Sequence, residues 1–274
     1  MRRSSWLAPL VHALSVALAI LVGTSAVFAL TAREILDEAE RLDDTTRKWT
    51  DRTQTMVLHI HGKRGGERTR TLKVFDKRYP DDGDKSVSFF LEPPEVRDTA
   101  FLQWAHKDRD DDQWLYLPEF KRTRRITARI RDQSFMGTDF SYRDLEILGE
   151  IQEWTEAQAP ATLVGEEKVD GHDCHVIALS LRQTDMPYGK IVLWMEKGKL
   201  VPRKMDFHDE KGTLVKSLSL GDIRDIGPVP SAHRMEMRNV EKGSRTVVIP
   251  SDVAFDAGLS DDLFTERQLR RGSP

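Results

Sequence analysis

The chain has 274 residues, of which 32% are charged and 39% hydrophobic, and a formal charge of −3 at pH 7. That composition belongs to a globular protein with a sizeable core, and it excludes collagen-like, disordered and multi-span membrane classes. The absence of a basic excess argues against nucleic acid as a partner.

Arg2 and Arg3 precede an apolar run over 7–22 that Pro9 and His12 interrupt, and Val27 and Ala29 spell an A-x-A-like site. The pattern predicts a secretory signal peptide over residues 1–29, exported by the general route and cleaved before Leu30. An uncleaved anchor is the rival reading, and the short apolar core counts against it. Residues 30–274 are then expected to form a single domain. Cys174 is the only cysteine, so the mature chain forms no internal disulfide and depends on its core and sheet.

Thr31-Ala32-Arg33-Glu34 spells a capping box, in which the Thr hydroxyl and the Glu carboxylate each satisfy a free backbone donor. Ile35, Ala39 and Leu42, flanked by Ala32 and Leu36, continue it as an amphipathic helix ending near Asp43. Beyond it the pattern changes to short β-branched and aromatic runs. Strands are predicted over 52–60, 69–77, 86–91, 99–105, 113–117, 122–126, 162–168, 174–182, 190–195, 201–207, 214–220, 234–240 and 245–249. Glu196-Lys197-Gly198, Glu210-Lys211-Gly212 and Glu241-Lys242-Gly243 repeat one hairpin tripeptide, with glycine where positive φ is needed. Strand follows strand with no room for crossover helices, which describes an antiparallel meander. Such a sheet must curve or be covered, and the cover available is the N-terminal helix, an irregular 131–160 segment and a short helix over 261–269.

Within the strands, Met56, Phe89, Phe101, Trp104, Trp114, Trp194, Met205, Met235 and Met237 supply large or adaptable apolar side chains, and Leu58 and Tyr116 join them. They suit the walls of an apolar-ligand cavity and equally a packed core. A one-residue shift of register exchanges the two faces, so alternation alone does not say which residues look inward. Phe135, Met136 and Phe140 surround Gly137 in a region without strand alternation, a pattern that fits either a flap over a cavity mouth or a loop tucked into a second small core.

Lys121, Arg122, Arg124, Arg125, Arg129 and Arg131 place six cations within eleven residues. Arg122, Arg124 and Arg125 are candidates for contacting lipid headgroups or an acidic partner, against the plainer reading of a solvated edge strand whose charges block edge-to-edge pairing. His172-Asp173-Cys174-His175 puts only His172 and Cys174 on one strand face, two ligands where a zinc site needs three or four. Asp108 to Asp112 lacks the glycine and the closing glutamate of a calcium loop. With no nucleophile elbow, zincin or phosphate-loop motif, nothing points to an enzyme, a metal or a cofactor.

Trp114-Leu115-Tyr116-Leu117-Pro118 followed by Arg124-Arg125-Ile126, and Ser134 through Tyr142 running into Asp144-Leu145, resemble the signature of the outer membrane lipoprotein-sorting proteins, the periplasmic carriers related to LolA. The N-terminal helix, the strand around Gln54, the Val169-Asp170-Gly171 hairpin and Asp262-Leu263-Phe264 fit the same pattern, so the resemblance covers most of the mature chain. It implies a mainly β, LolA/LolB-like half-open antiparallel barrel of about eleven strands with a helical lid. It also implies lipid or lipoprotein acyl chains as cargo, an inner-membrane transporter of the resistance-nodulation-division (RND) type and an outer-membrane acceptor as partners, and a periplasmic monomer. A sensor of the same architecture that regulates a membrane partner is the alternative from another class, and an envelope hydrolase is a second.

Overall fold

The computed structural model describes residues 30–107, 109–183 and 185–274. The expected signal peptide, residues 1–29, lies outside the described residues. Helix α1 (Ala32–Thr45) leads into β1 (Asp51–His61), β2 (Glu67–Lys77), β3 (Lys85–Glu92), β4 (Ala100–Trp104), β5 (Asp112–Leu117) and β6 (Arg122–Arg125). Helices α2 (Ala128–Arg131) and α3 (Tyr142–Glu150) follow. Then come β7 (Ala161–Val169), β8 (His172–Ser180), β9 (Lys190–Glu196), β10 (Pro202–His208), β11 (Leu214–Ile226), β12 (Val229–Asn239) and β13 (Ser244–Phe255), and last α4 (Glu266–Leu269). Among the described residues no helix is long and apolar enough to cross a membrane.

All thirteen strands pair antiparallel in one sheet, ordered from β6 through β1 and β13 to β7. Its two edges, β6 and β7, are neighbours in sequence, so the chain between them crosses one face of the sheet and lays α2 and α3 there. The result is a half-open barrel with a helical filling. Among the described residues the strand count is thirteen rather than the eleven or so the resemblance implies, and it matches the runs read from the residues. The repeated tripeptide turns hold Gly198, Gly212 and Gly243 at φ of 86°, 80° and 64°, as their hairpins require.

Alternation sorts each strand into an inner and an outer face. Ile177, Leu193, Met205, Leu218 and Met237 are successive cross-strand partners on the inner face of β8 to β12, and all are buried. Helix α1 lays Ala32, Ile35, Leu36 and Ala39 into the same core. Its capping box is formed as the sequence predicts, with Thr31 accepting from the Glu34 amide at 3.2 Å and Glu34 from the Thr31 amide at 2.7 Å. Removing the cap with Thr31→Ala should cost about 1 kcal/mol, read as a lower urea midpoint with unchanged slope. The helix should stay docked in that variant, because burial of Ile35 and Leu36 contributes about 2 kcal/mol each.

Helix α3 departs from the expectation of an irregular 131–160 segment. Its start is a second capping box, Ser141 with Asp144, and its inner side is pinned by charge as well as apolar contact. Glu146, 2% exposed, lies 3.1 Å from both Arg131 and Arg143. The preceding loop is fastened to β13: the Asp139 carboxylate accepts from the Ser244 and Thr246 hydroxyls, and the Thr246 hydroxyl accepts from the Asp139 amide at 2.9 Å.

The outer face of β2 to β5 is also buried. The Asp51 carboxylate gathers the amides of Ala257, Gly258 and Leu259 at 2.7, 3.1 and 3.0 Å, which turns the C-terminal segment back across the sheet. Leu263, Phe264 and Leu269 then cover Phe75, Val87, Phe89, Ala100 and Leu102. The helix expected over 261–269 is split into a 3-10 turn, Asp261–Phe264, and α4.

Candidate functional site

Helices α1 and α3 lie on the inner face of the sheet, and a gap remains between them and residues of β1 to β4 and β10 to β13. That gap is a cavity of about 1450 Å3. Met56, Leu58, Leu72, Val74, Phe101 and Val248 form its sheet wall, Met235 and Leu220 its far side, and Phe135, Phe140, Leu145 and Leu148 its helical side. At about 30 Å3 per molecule this space would hold on the order of fifty waters, far beyond a packing void.

The sequence-predicted residues divide by face. Met56, Leu58, Phe101, Phe135 and Phe140 line the cavity. Met205 is buried in the core beside it, and Met136 packs against that core. Phe89, Trp104, Trp114 and Tyr116 lie on the outer face under the C-terminal segment, where the Trp104 indole donates to the Phe264 carbonyl at 2.9 Å. Trp194 is on the outer face too, packed with Cys174 and Val176, donating to Glu167 at 2.6 Å and carrying Lys204 4.0 Å above its ring. These five are therefore not cavity residues. Period-two alternation puts Phe101 inside and Leu102 and Trp104 outside, and an outer apolar face exists because the C-terminus supplies a cover. The segment expected as a flap or a second small core is part of the main core, with Phe135 in edge contact with Phe101 and Tyr142 at 5.2 and 5.5 Å.

Arg122, Arg124 and Arg125 sit exposed on edge strand β6, with Arg125 paired to Asp112. Arg131, from the same basic run, turns inward to Glu146 and Asp110. Cys174 is fully buried while His172 is exposed.

Polar residues ring the mouth, and the sequence reading did not single them out. Trp49 has guanidinium groups near its ring at 5.3 Å (Arg52) and 5.2 Å (Arg78). Arg52 pairs with Asp76 at 2.9 Å, and Arg78 reaches Asp84 at 3.5 Å and the Asp43 carbonyl at 3.4 Å. Against these cations stand carboxylates that burial pushes upward: Asp43, Asp84 and Glu153, the last raised further by the charges of Asp84 and Glu40. Glu150, at the end of α3, is pushed up to about 7 by burial and then by the charge of Asp111. The sequence signal for this ring is its position at the ends of β1, β2 and β3 and of helices α1 and α3.

Glu150 makes stability depend on pH with a definite sign. Its pKa is about 7 when folded against 4.5 when free, so the folded state holds the proton more tightly between those values. Stability is then greatest below about pH 4.5 as far as this group goes, and falls as pH rises through about 7. Glu150→Gln should leave stability unchanged at pH 4.5 and raise it by about 1–2 kcal/mol at pH 8, after discounting the shift for partial exposure. Urea titrations at the two pH values check this, and an equal effect at both would contradict it.

A family model described as "Uncharacterized protein" matches residues 82–271. No curated protein matches the sequence. Among solved structures, the chain is 32% identical to a candidate outer membrane lipoprotein-sorting protein domain from Vibrio parahaemolyticus, with a TM-score of 0.79 over 88% of this chain and 98% of that one. It is 30% identical to a DUF1329 family protein from Desulfovibrio piger, with a TM-score of 0.79 over 87% and 98% of the two chains. A LolA superfamily protein from Nitrosomonas europaea, 19% identical, shares the fold with a TM-score of 0.65 over 88% of this chain and all of that one. At 32% identity over nearly the whole Vibrio domain, with the thirteen-stranded half-open sheet and its helical filling among the described residues, the chain belongs to the outer membrane lipoprotein-sorting family.

Proposed function

We propose that this protein is a periplasmic carrier that holds the acyl chains of a lipid or lipoprotein in the cavity and moves them toward the outer membrane. The observation that carries the reading is the 1450 Å3 cavity, apolar at its inner end and charged at its mouth. Each methylene withdrawn from water contributes about 0.8 kcal/mol, so the chains of a diacyl or triacyl anchor cannot cross an aqueous space unshielded. Methionines on the wall, Met56 and Met235, adapt to varied chains without demanding a fixed hydrogen-bond geometry. A polar mouth leaves the headgroup or the attached polypeptide in water.

In this reading an inner-membrane RND-type transporter loads the carrier and an outer-membrane acceptor unloads it. Arg122, Arg124 and Arg125 offer a cationic edge for either encounter. Export of the mature chain would follow cleavage of the signal peptide before Leu30, and the role is one of binding rather than catalysis. Native mass spectrometry with lipid extraction, on protein purified gently from its own periplasm, tests the proposal. A stoichiometric co-purifying lipid or lipopeptide is expected. A clean apo mass that stays unchanged when lipids are offered would overturn it.

A further inference from the structure

Away from the mouth, β2 places Arg68 and Arg70 on its inner face, opposite Ile60 and Leu58 of β1. The two-residue spacing sends both side chains the same way, and they converge on the turn at Gly137. A Cβ built on Gly137 would stand 3.7 Å from the Arg68 Nη1 and 3.8 Å from the Arg70 Nη2. Arg68 donates a single long hydrogen bond, 3.4 Å, to the Gly137 carbonyl. Arg70 is half-buried over the ring of Phe90, 5.9 Å from its centre, and its Nη1 is buried with no acceptor. Among the described residues no carboxylate lies within ion-pairing distance of either guanidinium.

Two neighbouring guanidinium groups without a counter-charge are unfavourable, and a buried donor without an acceptor adds a penalty of its own. Burial and the charge of Arg68 both press the Arg70 pKa downward, the direction an uncompensated pair must take. Arg68 is exposed and Arg70 half-buried, whereas the buried arginines Arg131, Arg143 and Arg203 have carboxylate partners: Arg131 and Arg143 share Glu146, and Arg203 pairs with Glu196. Among the described residues, Arg68 and Arg70 have guanidinium donors that no carboxylate of the chain takes up. Two planar forks converging on one point match the oxygens of a tetrahedral phosphate.

We propose that Arg68 and Arg70, together with the Gly137 turn, form a binding site for a phosphate or phosphodiester group. The site lies next to the cavity without being part of it: Leu58, the cross-strand partner of Arg70, is on the cavity wall, and Phe135 and Phe140 belong to the same loop as Gly137. The phosphate can come from the headgroup of a lipid or from free phosphate. The site itself does not depend on the carrier reading.

The test is a titration of isotope-labelled mature protein at low salt, following the arginine Nε–Hε signals, the Gly137 amide and the Met56 and Met235 methyl groups. The probes are inorganic phosphate, a short-chain phosphatidylglycerol and the matching neutral diacylglycerol. Phosphate is expected to shift Arg68, Arg70 and Gly137 with a dissociation constant on the order of 1 mM. Arg68→Gln with Arg70→Gln should weaken that binding at least about tenfold, which is about 1.4 kcal/mol. Phosphatidylglycerol acting at a lower concentration than phosphate, and moving the methyl groups as well, supports the site and names a headgroup as the source. Equal potency of the two, with the methyl groups still, supports it with free phosphate as the source. If the arginine signals stay fixed at about 10 mM phosphate and with phosphatidylglycerol, or if the shift survives in the double variant, the site is overturned. The diacylglycerol arm keeps the two proposals apart, since it should move only the methyl groups if the cavity takes acyl chains.

Discussion

Replacing Asp144 with alanine should lower stability by about 3–5 kcal/mol, the largest loss expected of any single substitution considered for this protein. The carboxylate is fully buried, and three donors meet it: the Ser141 amide, the Tyr188 hydroxyl and the Lys216 ammonium, each at 2.6 Å. They come from the start of α3, from the loop before β9 and from β11, so one side chain ties the helical filling to two parts of the sheet. Without it Lys216, whose side chain is 13% exposed, is left as a nearly buried charge with no counterion, and Tyr188 loses the acceptor of its hydroxyl. Such orphaned groups pay their full desolvation penalty. Asp144→Asn keeps the shape and one acceptor oxygen but removes the charge, and should fall between wild type and alanine. In thermal unfolding the alanine variant should melt lower by on the order of 10 °C for a domain of this size. Amide exchange in α3 should accelerate more than in β8 to β10, because the helix loses its anchor while those strands keep their ladders. A loss below about 1 kcal/mol for both variants would mean that the helix is held by apolar contact with Tyr142 and Ile147 alone.

That anchor is also where the residues were least legible in advance. The capping box of α1 and the tripeptide turns are short-range signals, decided by three or four adjacent residues, and the structure repeats them. Helix α3 carries the same kind of start, Ser141 with Asp144, but its buried side includes Arg143, Asp144 and Glu146, which an apolar stripe does not describe. Their burial makes sense only with Arg131, Asp185, Tyr188 and Lys216 in place, partners up to 72 residues away. The β11 and β12 hairpin was underestimated for a related reason. The strands predicted over 214–220 and 234–240 leave 221–233 unassigned, yet the pairing runs on to Ile226 and Val229. Ile223 and Val229 from that extension reach the cavity. Alternation fixes which residues share a face but not which face is inside, and at Phe89, Trp104, Trp114 and Tyr116 the C-terminal segment makes both faces apolar, while Trp194 packs on the outer face with Cys174 and Val176.

The second large effect concerns the cavity wall. Met235→Asp should reduce the affinity for acyl chains on the order of a hundredfold while leaving the fold nearly as stable. Met235 projects from β12 between Leu220 and Val248 and is half-buried, open to the cavity on one side. In the empty protein an aspartate there meets water and keeps its hydration. With a chain bound, the same carboxylate must either lose its water or keep a wet patch against methylenes, and both penalise only the occupied state. The loss should shrink as pH falls below about 5, where the introduced carboxyl takes up a proton and becomes neutral. Val164→Asp serves as the control, because Val164 is 57% exposed and off the cavity wall, and it should bind as wild type does. Lipid retained by Met235→Asp at wild-type stoichiometry and affinity would place the cargo elsewhere on the molecule. Release confined to this variant and reversed by acid would locate the acyl chains against β12, on the side of the barrel that the helices leave open.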